Sequence, residues 1–78
     1  MKRDLRILLG ETNNYHAVMV ERSLKERYPD ARVDRFNTTE TILKAVRDYQ
    51  YDITVVDFDF SEHGGLYLMQ LIKKEDGI

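Results

Sequence analysis

The 78-residue chain has no cysteine and only one proline, and charge of neither sign dominates it. Without cysteine there can be no disulfide and no thiolate metal site, a pattern that fits a reducing cytosol. Twelve Lys and Arg stand against fourteen Asp and Glu, a formal net charge of -2. That balance gives no electrostatic reason to expect nucleic acid or an anionic membrane as partner. Long apolar runs are missing too. After Met1-Lys2-Arg3-Asp4 come only a few apolar residues, too few for a signal-peptide core or a membrane span. The expectation is a cytoplasmic protein. There is no Gly-x-Gly-x-x-Gly after a strand, no Lys-Ser/Thr ending to a glycine loop, no repeat and no Ser/His/Asp constellation. His16 and His63 have no second ligand at metal spacing.

What is present is 42% apolar and 33% charged, which predicts one small soluble domain with a modest core. Residues 5–9, with Arg6 their only charge, form a short apolar run that ends in Gly10-Glu11-Thr12-Asn13-Asn14. Asn13 or Asn14 can cap the helix that follows. Over residues 15–28, Ala17, Val20, Leu24 and Tyr28 recur at helical spacing among charged flanks, and Pro29-Asp30 stops the helix. Residues 31–36 alternate apolar with charged positions, as a strand wet on one side does. Asn37 stands three residues before Glu40, a capping-box spacing, and the stripe Ile42, Ala45, Val46, Tyr49 predicts a second helix.

Residues 52–57 organise the rest. Ile53-Thr54-Val55-Val56 is β-branched throughout and carries no charge, so it reads as a strand buried on both faces, as in helix-covered parallel sheets. It ends on Asp57, and Phe58-Asp59-Phe60-Ser61-Glu62-His63-Gly64-Gly65 follows. A third helix carries Leu66, Leu68, Met69, Leu71 and Ile72, with Lys73 and Lys74 suited to its carboxyl end. The order βαβαβα with right-handed crossovers predicts an α/β domain with one parallel sheet, strand order 2-1-3. That order leaves the 52–57 strand at an edge, with unpaired backbone groups. Two expectations follow: the chain is the front part of a larger domain, or two copies associate through that strand.

Adjacent first and third strands bring Glu11 and Asp57 out at the same rim, where ligands sit in open parallel sheets. Converging carboxylates raise a pKa or recruit a cation, and all-oxygen ligation with room for water suits Mg²⁺. A carboxylate beside such an ion is also a feasible nucleophile toward phosphorus.

These features resemble the receiver domain of two-component response regulators, in the flavodoxin-like family. The likeness is carried by Ile7-Leu8-Leu9-Gly10-Glu11-Thr12, by residues 37–46, and by Tyr51-Asp52-Ile53-Thr54-Val55-Val56-Asp57 with Gly65 downstream. It runs along nearly the whole chain, over about the first two-thirds of a typical receiver. The resemblance implies that Asp57 is the phosphoacceptor and Glu11 the first of two Mg²⁺-binding acids. It further implies that the backbone carbonyl of Asp59 completes the metal site, and that a histidine kinase or phosphotransfer protein is the phosphoryl donor. Such a domain is a switch more than an enzyme. The departures are Thr12 at the second acidic position, Ser61 where proline is usual, and Gly64-Gly65 for the usual Asp-Gly. The family's later Thr/Ser and Lys would lie beyond Ile78.

Plainer readings stand beside this one. Asp57 can cap its loop, Glu11 can be a solvated turn residue, and Asp59 and Glu62 can be loop charges. Tyr15, Tyr28 and Tyr49 read as packing residues. In function, the alternatives are a pseudo-receiver, keeping the fold for protein interaction without phosphotransfer, and a small-molecule binder that uses the strand-end crevice.

Overall fold

The computed structural model describes residues 4–60 and 63–75. Its elements are β1 (Arg6–Gly10), α1 (Asn14–Arg27), β2 (Arg32–Phe36), α2 (Thr39–Asp48), β3 (Ile53–Val56) and α3 (Gly64–Glu75). The three strands form one parallel sheet in the order β2-β1-β3, as the sequence predicts.

β1 is the centre of the molecule. Ile7 and Leu8 are fully buried and Leu9 nearly so, because β1 alone has a strand on each side. Alternation along a strand sends its side chains to opposite faces. Leu8 joins Ile42 and Ala45 of α2, Leu68 and Ile72 of α3, and Phe60 of the β3–α3 loop in the main cluster. Gly10 turns the same way, since a Cβ there would lie 2.9 Å from Ile42 Cδ1. Ile7 and Leu9 turn to the other face, toward α1, whose Ala17 is its buried residue.

Local chemistry sets the helix ends. The Asn13 side chain accepts the His16 amide at 3.1 Å and so caps α1, one of the two caps expected. At α2 the cap is Thr38, whose hydroxyl accepts the Thr41 amide at 3.2 Å. This corrects the Asn37 capping box by one residue. Asn37 is exposed and Glu40 sits in the first turn, where its charge suits the helix dipole. α2 is tied to α3 by Arg47, which donates to the two oxygens of Glu75 at 2.9 and 3.2 Å. These hydrogen bonds hold the Glu75 carboxyl below its ordinary pKa.

Two further expectations need correction. β3 is half-buried along its whole length, not buried on both faces, because no strand covers its outer side. Tyr49 lies past the end of α2 and is exposed, and the Arg6 guanidinium sits 4.6 Å above its ring. The third helix forms as expected; it buries Gly65, Leu68 and Ile72 and leaves Leu66 and Met69 exposed. Ser61 and Glu62 lie outside the described residues. Among the described residues, no helix is long and apolar enough to cross a membrane.

Candidate functional site

The β1–β3 register runs from Ile7↔Ile53 to Gly10↔Val56, so Glu11 and Asp57 occupy the next rung at the carboxyl end of the sheet. The Asp57 amide donates to the Gly10 carbonyl at 3.0 Å, and the Glu11 amide to the Phe36 carbonyl at 3.0 Å. Both backbones are therefore pinned where the strands end. Neighbouring strands lie about 5 Å apart, which sets the Cα separation of the two acids. Val56 packs on the α2–α3 cluster, so alternation turns Asp57 to the α1 face. Glu11 lies on that face too, since its carboxylate meets Asn13 and His16.

The two acids differ in exposure. Glu11 is the one buried charged residue among the described residues, at 7% exposure. Its Oε2 accepts the Asn13 amide at a long 3.3 Å, and its Oε1 lies 3.7 Å from Nδ1 of the largely exposed His16. Among the described residues, no lysine or arginine pairs with it. A carboxylate so buried and so weakly neutralised is costly for the fold, since burial penalises the charged form. Asp57 is half-buried, and Thr12 and Asp59 are exposed. The predicted site residues thus gather at one rim, with Glu11 as the inner member and Asp57 beside it.

The loop after Asp57 is shaped by its own backbone. The Asp57 carbonyl accepts the Phe60 amide at 3.0 Å, a tight turn that drives Phe60 into the core and leaves Phe58 exposed. Gly65 donates its amide to the Phe58 carbonyl at 2.8 Å. A Cβ on Gly65 would overlap the Asp57 carbonyl oxygen, so only glycine permits this approach. Gly64 has φ +83°, the left-handed region that glycine adopts without penalty. The two glycines fold the start of α3 onto the backbone of Asp57 and act through the loop's geometry.

Among the described residues, no group of three His, Cys, Asp or Glu side chains is placed to enclose a metal ion. A pair of carboxylates still suits a hydrated Mg²⁺, which keeps several waters and takes one or two carboxylates from protein. No protein-family model matches the chain, and no curated protein or solved structure was found to be similar to it.

The sequence reading missed the polar cluster at the opposite, amino end of the sheet. There Asp34 accepts from the Tyr51 hydroxyl at 2.7 Å and from Arg32 Nε at 3.2 Å, with Arg6 Nη2 at 3.9 Å. The Arg6 guanidinium lies over Tyr49 and, at 5.7 Å, over Tyr51. Burial, followed by the hydrogen bond to Asp34, pushes the Tyr51 phenol well above its ordinary pKa. The signal was a charge within an otherwise apolar strand, Arg6, which needs a partner once β1 is central. The His16 contact was missed as well. It arises because the Asn13 cap sets the first turn of α1 beside Glu11.

Proposed function

We propose that the chain is a receiver-type phosphoacceptor module in which Asp57 takes a phosphoryl group from a histidine kinase or phosphotransfer protein. The observation that carries this reading is the pairing of Glu11 and Asp57 on one rung at the carboxyl ends of the adjacent parallel strands β1 and β3. Among the described residues no lysine or arginine pairs with Glu11, and the histidine near its carboxylate, His16 at 3.7 Å, is largely exposed, as befits a carboxylate kept for a cation. An Asp57 oxygen attacks phosphorus, an O–P bond forms as the donor's N–P bond breaks, and the leaving imidazole takes a proton from solvent. Glu11, the Asp57 carboxylate and the Asp59 backbone carbonyl would hold Mg²⁺. When bound, the ion neutralises phosphoryl charge that the carboxylates would otherwise repel. The fold belongs with the flavodoxin-like arrangement on this reading. The exposed Thr12, neutral where a second acid is usual, points to weaker metal binding.

That same residue favours the second reading, an interaction module without phosphotransfer. The test is incubation of the intact chain with Mg²⁺ and acetyl phosphate, followed by intact-mass measurement. The expected outcome is a Mg²⁺-dependent gain of one phosphoryl group that disappears in Asp57→Asn and is slowed in Glu11→Gln. No gain in a protein whose circular dichroism shows an intact fold would establish the interaction module instead.

A further inference from the structure

The two edges of the sheet are finished differently. β2 carries Arg32, Asp34 and Arg35 along its length, and Arg35 pairs with Glu21 of α1 at 3.2 Å. Charges on an edge strand are a standard guard against pairing with other chains. β3 has none: Ile53-Thr54-Val55-Val56 offers no charge, no proline and no glycine. Its flanks are apolar on both faces. Arg35 reaches Glu21 on one side of α1, so helical spacing puts Met19 and Val20 on the β3 side. Glu75 reaches Arg47 on one side of α3, so Leu66 and Met69 lie on the side away from α2. Met19, Leu66 and Phe58 are 56%, 68% and 73% exposed.

We infer that β3 pairs antiparallel with β3 of a second copy, joining two three-stranded sheets into one of six strands across a two-fold axis at Val55. The backbone favours this register, the one in which both outward residues of each strand pair with each other. Asp57 donates its amide to Gly10, so odd-numbered residues bond inward and the N–H and C=O of Thr54 and Val56 point out. Those groups match across a two-fold centred on Val55, where Thr54 of each copy exchanges both hydrogen bonds with Val56 of the other. Asp57 then faces Ile53 across the junction. A two-fold between Thr54 and Val55 would instead set Asp52 against Asp57, with like charges directly opposed.

The inference holds whether or not Asp57 accepts a phosphoryl group.

Sedimentation equilibrium of the intact chain tests it, with two variants. The wild type is expected at twice its monomer mass, and Thr54→Pro, which removes one outward N–H and no bond to β1, at monomer mass with unchanged far-ultraviolet circular dichroism. The second variant uses the absence of native cysteine. Val55→Cys is expected to form a disulfide-linked dimer under mild oxidation, because residues 55 of a non-hydrogen-bonded pair sit about 4.5 Å apart. Thr54→Cys, offset by two residues from its counterpart, should cross-link far less. A monomeric wild type, an assembly larger than a dimer, or a dimer that Thr54→Pro leaves intact and Val55→Cys fails to trap would each overturn the inference.

Discussion

The two ends of the sheet hold their carboxylates in opposite ways. At the amino end Asp34 lies between two arginines and accepts a tyrosine hydroxyl, with Arg6 in turn set against two aromatic rings. At the carboxyl end Glu11 is more deeply buried than Asp34, yet it has one long amide hydrogen bond and an exposed histidine for company. A fold selected for stability alone would neutralise the deeper charge first. On the proposed reading, the inversion reflects a rim where stability gives way to another requirement, as functional sites commonly do.

Removing the same negative charge from each end should separate the two roles, and the largest effect belongs to the amino end. Asp34→Asn leaves Arg6 and Arg32 without the carboxylate that they share. Charge-assisted hydrogen bonds contribute about 1.5–3 kcal/mol each, and partial exposure of all three side chains reduces that. A net loss of about 1–2 kcal/mol in urea unfolding is expected. A loss near zero would mean that the cluster is decoration and the contrast between the ends is false.

Tyr51→Phe sharpens the comparison through pH. Removing the hydroxyl leaves Asp34 one donor short, at a cost of about 1 kcal/mol near neutrality. The phenol's pKa is raised in the folded protein, so folding favours the protonated form. Its contribution is complete below the ordinary tyrosine value of about 10. It is lost as the pH rises above that toward the folded value. Unfolding midpoints measured through this alkaline range should fall less steeply in Tyr51→Phe than in the wild type. Parallel slopes would show that the Tyr51–Asp34 bond does not couple to stability.

How far these features could be read from sequence follows from their physics. Strand order and helix positions were legible because apolar periodicity and the Pro29 stop are local signals, and β1 and β3 share a rim by topology alone. The burial of β3 was misread because an unbroken β-branched run describes what a strand suits, whereas exposure depends on what lies beside it. Phe58 and Phe60 show the same limit: either could have filled the core, and the Asp57–Phe60 turn decides. Tyr49 looked like part of the α2 stripe because helical spacing continues past the residue where the helix ends. The Arg6–Asp34–Tyr51 cluster joins segments distant in sequence, and its one local sign, the charge of Arg6 inside an apolar run, does not name the partners.

The smallest effect is expected at the carboxyl rim, and its smallness is what distinguishes the two ends. Glu11→Gln keeps an oxygen to accept the Asn13 amide and keeps the side chain's shape. It removes a buried charge, and with it the repulsion from Asp57 on the adjacent strand. The loss of the 3.7 Å contact with His16 costs little, since that histidine is largely in water. These contributions nearly cancel, so the urea midpoint should move by no more than about 0.5 kcal/mol, with a small gain the favoured direction. Added Mg²⁺ should stabilise the wild type by mass action and leave the variant unmoved. If Glu11→Gln instead weakened the fold as much as Asp34→Asn, Glu11 would be a structural acid like its counterpart, and the carboxyl rim would lose its claim to be a site.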